Sequence, residues 1–151
     1  MKTGLMPILQ RHPLLDEMDA AIRKQDWYAE HAVLMQVYAL DDATAQVDVF
    51  NQLLVLPGHK QHQEVCRAIQ GLASPSSVPW LRWMLAEGFP MLAYTYSEPG
   101  VIAKWFSHAL ADIGTVEAIA VISEFAKASD PDIAAEMTNR LQRMQERGIA
   151  V

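Results

Sequence analysis

The chain has little of what secreted, membrane-spanning or disordered proteins contain. Its one cysteine, Cys66, cannot form an internal disulfide, which is typical of a reducing compartment. No apolar run approaches the roughly 18 residues of a membrane span. Pro7, Gln10 and Arg11 interrupt the segment that a signal peptide would need. Because 51% of the residues are hydrophobic and 20% charged, we expect one soluble, cytoplasmic domain over residues 1–151.

Positive charge is missing from one long segment. Residues 26–58 contain five acidic residues and no Lys or Arg, within a chain of formal net charge −6. Ordinary solvated faces mix both signs, so we expect Asp41, Asp42 and Asp48 to steer a basic protein partner. The alternative is a solvated face that keeps the protein soluble. A net negative chain repels phosphate backbones, which disfavours nucleic-acid binding.

The spacing of apolar residues predicts an all-α protein. They recur every three or four positions, and no long alternating pattern indicates a strand. Glycine and proline divide the chain into about eight helices with short connections, which favour antiparallel neighbours. Asp130 before Pro131 predicts an N-cap, and Gly114 before Thr115 predicts that one helix ends and the next begins.

The second half of the sequence repeats itself at fixed offsets. At an offset of 41, residues 61–88 lie on residues 102–129 without a gap. At an offset of 31, residues 102–113 lie on residues 133–144. The offsets differ by ten residues, which places an insertion at about residues 89–100 and gives a unit of about 31 residues. The chain therefore consists of related helix pairs.

The aligned apolar positions identify the expected core. Ile69, Leu110 and Leu141 share one repeat position, and apolar residues occupy the equivalent places on either side of them. Positions that stay apolar in each unit are those that a helix pair buries against its neighbours. We therefore expect all three side chains to point into the core.

Particular motifs of these units resemble the short bacterial form of the HEAT repeat. They are Leu-Ala-Asp-Ile-Gly at 110–114, Glu-Ala-Ile at 117–119 and Asp-Pro at 130–131. The resemblance covers residues 102–141 and, less closely, residues 61–88. It implies an α-solenoid with a surface for binding, and it implies no particular reaction.

The sequence contains few residues with the spacing that is typical of catalytic or metal-binding sites. His59, His62 and Cys66 would follow one helix face as metal ligands do. The favoured alternative is close helix packing, because the repeats align His62 and Cys66 with small residues. The sequence contains no nucleophile elbow, no glycine-rich phosphate loop and no His-Glu pair of the kind that HEAT-like iron hydroxylases repeat. We therefore expect no enzyme activity and no cofactor.

Two tryptophans stand where sister repeats have carboxylates. Trp105 aligns with Glu64 and Glu136, and Trp83 aligns with Glu124. Because those positions normally face solvent, Trp83 and Trp105 are candidate anchors for a protein partner. The alternative is that the insertion folds back over them and makes them part of the core.

The insertion at residues 89–100 is apolar and aromatic, and it contains Tyr94 and Tyr96. It either packs as an additional short helix or projects into a partner. Arg82 lies close enough in the sequence to contribute to a polar rim around such a contact.

These features favour a protein-binding function over catalysis. Small size, acidity and unusual aromatic residues on a binding scaffold suggest an immunity protein that neutralises a basic toxin domain such as a nuclease. The alternative is a general cytosolic adaptor or assembly scaffold, and a third hypothesis is an enzyme or lyase built on the HEAT scaffold. The partner's identity and the oligomeric state stay open.

Overall fold

A computed structural model describes residues 11–151 of the chain, and Pro7 and Gln10 lie outside the described residues. As the spacing predicts, the described chain is helical, and it contains no strand. Two 3-10 segments, Pro75–Ser77 and Pro90–Thr95, accompany the α-helices. The α-helices are α1 (Pro13–Lys24), α2 (Trp27–Tyr38), α3 (Ala43–Val55), α4 (His62–Leu72), α5 (Val78–Glu87), α6 (Pro99–Ile113), α7 (Val116–Phe125) and α8 (Pro131–Glu146).

Short polar side chains determine where several helices begin. Asp26 caps α2 and Asp42 caps α3 by accepting hydrogen bonds from backbone N–H groups of the first turn. Asp130 caps α8 with Pro131 in the first helical position, which confirms the predicted start. Gly114 ends α6 with a φ of 68°, a conformation that glycine adopts without strain, so the predicted end is also confirmed.

Along much of the chain, a helix contacts the helix two places further on in the sequence. Helix α1 contacts α3, α3 contacts α5, and α5 contacts α7. Helix α4 contacts α6, and α6 contacts α8. Neighbours in sequence also pack on one another, as α1 does on α2 and α6 on α7. One cluster of buried apolar residues includes side chains from all eight α-helices of the described chain.

The aligned core positions are buried to different extents. Ile69 and Leu110 are fully buried, which confirms the expectation for these two side chains. Leu141 packs against the core but is only partly buried. Leu72, the last residue of α4, is 38% exposed. Residues at one repeat position are therefore buried to different extents in different helix pairs.

The insertion packs onto the core as the 3-10 segment Pro90–Thr95. Leu92 is 1% exposed, and the ring of Phe89 lies 5.5 Å from that of Phe106. Tyr96 follows with a φ of 55°, and its side chain is 95% exposed. The segment thus has one face in the core and one aromatic ring in solvent.

We expect Leu110→Ala to lower the free energy of unfolding by about 2 to 5 kcal/mol, because it removes buried surface and leaves a cavity. Leu141→Ala is the matched control, since its side chain is only partly buried. Urea denaturation of both variants measures the difference. Equal losses would contradict the burial described here.

Candidate partner-binding surface

Trp83 and Trp105 lie in two different grooves. Trp105 lines a groove of about 410 Å³ between α4 and α6, together with Arg67, Lys104 and other residues of these helices. Trp83 lines a groove of about 500 Å³ between α5 and α7. The two grooves have no lining residue in common, and both rings pack partly against the core. The structure therefore does not bring the two tryptophans into one site.

Arg82 forms an ion pair across the Trp83 groove. Its Nε donates to Glu124 Oε1 at 2.9 Å, and a terminal nitrogen donates to Glu124 Oε2 at 2.6 Å. The hydrogen bonds to Glu124 raise the pKa of Arg82 above its ordinary value. The guanidinium thus links α5 to α7, and a partner would have to compete with Glu124 for it.

Tyr94 is held by the first residue of α4. Its hydroxyl donates to His62 Nδ1 at 2.8 Å and accepts from the His62 backbone N–H at 3.0 Å. His62 Nε2 donates to the Leu56 carbonyl at 2.8 Å. Burial raises the pKa of Tyr94 to about 12, so the hydroxyl stays protonated and able to donate.

His59 lies directly beside His62. Its Nε2 donates to the Leu53 carbonyl at 2.7 Å, and its Nδ1 accepts from the Gln61 N–H at 3.0 Å. The two imidazole rings stack with their centroids 3.8 Å apart. Burial lowers the pKa of His59 to about 4 and that of His62 to about 3, so both rings are neutral at pH 7.

These hydrogen bonds bear on whether His59, His62 and Cys66 can bind a metal ion. Both nitrogens of each ring already bind groups of the protein, which leaves neither ring a free nitrogen for a metal ion. Burial raises the pKa of the Cys66 thiol to about 12, which disfavours the thiolate that binds metals. The three side chains serve packing and hydrogen bonding inside the fold.

Lys60 lies between two aromatic rings at the surface. Its Nζ is 4.6 Å from the centroid of the Tyr94 ring and 5.7 Å from that of Trp27, both within cation–π range. Trp27 is 48% exposed. Together with Tyr96 these side chains line one depression, which we call the aromatic cup (Trp27, Lys60, Tyr94 and Tyr96).

The aromatic cup adjoins the Trp105 groove, because Gln63 lines both. Of the predicted contact residues, Tyr94, Tyr96 and Trp105 therefore line two neighbouring depressions that meet at Gln63. Trp83 and Arg82 lie in the other groove.

Trp27 and Lys60 are not among the contact residues predicted from the sequence. One available signal was helix α2, which is apolar on more than one face and leaves Trp27, Tyr28 and Met35 exposed. A helix in contact with the core on one side should carry polar residues on the other. No comparable signal existed for Lys60, which lies in a loop.

Several acidic residues of the segment at residues 26–58 stabilise the fold and do not simply add negative charge to the surface. Asp26 and Asp42 are helix caps, and Glu30 is fully buried with Oε1 accepting from the Lys60 N–H at 2.8 Å. Asp41 is exposed and Asp48 is half-buried beside α1. Of the three predicted steering residues, Asp42 therefore has a second role in starting α3.

Comparisons of the chain with protein-family models, with curated proteins and with solved structures found no match. Within residues 11–151, no group of three or more His, Cys, Asp or Glu side chains is arranged to hold a metal ion. None of the helices in the described part is long and apolar enough to cross a membrane.

We expect stability to fall as the pH falls below about 6.5, the ordinary histidine pKa. The folded pKa values of His59 and His62 lie below it, so their contribution is complete above pH 6.5 and is lost on acidification. By pH 5 the loss is roughly 2 kcal/mol for each ring. Urea denaturation at pH 7 and pH 5 measures it, and the exposed His31→Gln variant should retain it. A constant free energy of unfolding would contradict the described burial.

We expect Tyr96→Gly to leave the protein at least as stable, because glycine relieves a left-handed conformation that costs other residues about 1 to 2 kcal/mol. Met35→Gly is the control, since Met35 is 47% exposed but lies within α2, away from its first turn. There glycine should cost about 1 kcal/mol. Thermal unfolding distinguishes the two, and an equal loss in both would contradict the assigned backbone conformation.

Proposed function

We propose that this chain is a protein-binding module with a HEAT-like α-solenoid architecture. Two observations support the architecture. The motifs at residues 110–131 resemble HEAT units. The contacts that link α1, α3, α5 and α7 in one row and α4, α6 and α8 in another are what a stack of helix pairs requires. In such a stack, the grooves between neighbouring helices form an extended surface for a partner.

The observation that carries the proposal is the aromatic cup. Tyr96 is almost fully exposed although its backbone conformation favours glycine, and core packing gives no reason for a tyrosine there. Large aromatic residues dominate the energetics of protein interfaces. The two hydrogen bonds that fix Tyr94 mean that its ring loses little freedom when a partner binds. The cup is thus a preorganised anchor.

The specific function we propose is inhibition of a basic toxin domain, as an immunity protein performs it. Asp41 and Asp48, in the segment without Lys or Arg, supply the negative field that speeds capture of a basic domain. The chain itself performs no reaction in this proposal and needs no cofactor.

A cytosolic adaptor is the second candidate. It is favoured by the separation of Trp83 and Trp105 into two grooves, because an assembly scaffold presents more than one binding surface. An inhibitor has to engage only one domain. The partner's response to the chain distinguishes these two functions.

The test is affinity capture from a native lysate with the chain as bait. We expect Trp27→Ala combined with Tyr96→Ala to weaken binding of the captured protein by at least about thirtyfold, roughly 2 kcal/mol. Tyr28→Ala removes an equally exposed aromatic ring outside the cup and should bind normally. Unchanged binding in the cup variant, or no specific capture by the wild type, would refute the proposal.

The activity of the captured protein then separates the two candidates. A toxin domain loses its toxicity when the chain is added, whereas the client of an adaptor keeps its activity. For a basic toxin, Asp41→Asn with Asp48→Asn slows association at low salt. Asp132→Asn, an exposed charge on α8, is the control for the change in net charge.

A further inference from the structure

The aromatic cup and the Trp105 groove are lined by cationic side chains, although the protein as a whole carries a net negative charge. The side chains that line the two include Lys60, Arg67 and Lys104, and no Asp or Glu is among them. The whole chain has 18 acidic and 12 basic residues. Carboxylates do lie at the edge of the Trp105 groove, where Asp112 accepts a hydrogen bond from Gln70 at 2.9 Å and Glu64 pairs with Arg67. The lining itself is cationic and contains no carboxylate.

Two of these three cations, Lys60 and Lys104, are available to a partner. The third, Arg67, is already paired with Glu64 at 2.8 Å. Lys60 and Lys104 are exposed, and neither forms an ion pair with any carboxylate of residues 11–151. Lys60 is also held in place, because its Nζ contacts the Tyr94 ring. The surface thus presents two separate positive charges with aromatic rings beside them.

We propose that this surface binds an acidic segment of a protein partner. Carboxylates of the segment pair with Lys60 and Lys104, and its apolar side chains contact Trp27, Tyr96 and Trp105. The inference rests on the proposed protein-binding function and specifies the chemistry of one partner segment. It is compatible with a basic toxin domain, whose basic face meets Asp41 and Asp48 while an acidic segment of the same protein lies here.

Two other occupants fit the surface less well. A basic segment would bring its cations next to Lys60, which already occupies the cation–π position at the Tyr94 ring. Single-stranded nucleic acid also stacks on aromatic rings beside positive charges. However, its phosphates would meet a chain of net charge −6, with only Lys60 and Lys104 as unpaired lysines among the residues that line the cup and the groove. An acidic peptide needs only a few carboxylates and matches this number of charges.

The test selects binders from a random twelve-residue peptide library on the immobilised wild-type chain. We expect enrichment of Asp and Glu together with aromatic or aliphatic residues. The affinity of enriched peptides is then measured by fluorescence polarisation. Lys60→Glu combined with Lys104→Glu should weaken binding at least about tenfold through like-charge repulsion.

The matched control is Lys24→Glu combined with Lys127→Glu. It changes the net charge by the same amount at exposed positions outside the surface, and its affinity should stay within about threefold of wild type. Thermal unfolding of both variants checks that they fold. A single-stranded twelve-nucleotide oligothymidylate serves as the nucleic-acid probe and should neither bind nor displace the peptide.

Four results would overturn the inference: enrichment of Lys and Arg, no enriched peptide, equal effects of the two double variants, or competition by the oligothymidylate. Failure of this inference is distinguishable from failure of the proposed function. If lysate capture depends on Trp27 and Tyr96 but is unaffected by charge reversal at Lys60 and Lys104, the protein-binding function stands and only the acidic partner segment is wrong.

Discussion

The hydrogen bonding of two buried imidazoles is the constraint on which the candidate site depends. His59 lies in the connection between α3 and α4, and His62 is the first residue of α4. Each ring donates to a carbonyl near the end of α3. A buried polar ring without partners would cost several kcal/mol, so the loop takes the one conformation in which the ring nitrogens are satisfied. That conformation places Lys60 against Glu30 of α2 and places Tyr94 against His62. The neutral imidazoles thus help to position two of the four side chains of the aromatic cup, Lys60 and Tyr94.

The aromatic cup combines firmly held and strained residues. Tyr94 is fixed through its hydroxyl, and Lys60 is fixed through its backbone N–H and its contact with the ring. Tyr96 adopts a left-handed conformation that other residues than glycine rarely adopt. Strain of this kind persists where the surrounding structure imposes it, and it is concentrated at functional sites. Under the proposed binding function, stability favours glycine at this position whereas partner binding favours the exposed aromatic ring.

Charge is distributed unevenly over the molecule, and several charged residues have structural roles that the sequence does not reveal. The segment at residues 26–58 is acidic in sequence, yet Asp26 and Asp42 start helices and Glu30 lies in the interior. Two acids of this segment, Asp41 and Asp48, have neither role. The positive charge of the cup and the Trp105 groove comes instead from residues that are scattered along the chain. Net charge by itself would suggest a basic partner only, whereas the folded surface offers sites of both signs.

The sequence by itself determined the helical class, several helix ends and the middle of the core. Asp130 and Gly114 set helix boundaries through interactions within a few residues, and Ile69 and Leu110 are buried because apolar periodicity marks one helix face. Only the tertiary structure decided which distant residues meet. Trp27, Lys60 and Tyr94 are more than thirty residues apart in sequence, and their contact depends on a loop conformation fixed by buried histidines. Periodicity encodes which side of a helix faces inward, but it carries no information about how loops pack beside that helix. The separation of Trp83 from Trp105 and the contact of Lys60 with Tyr94 therefore became visible only in the folded chain.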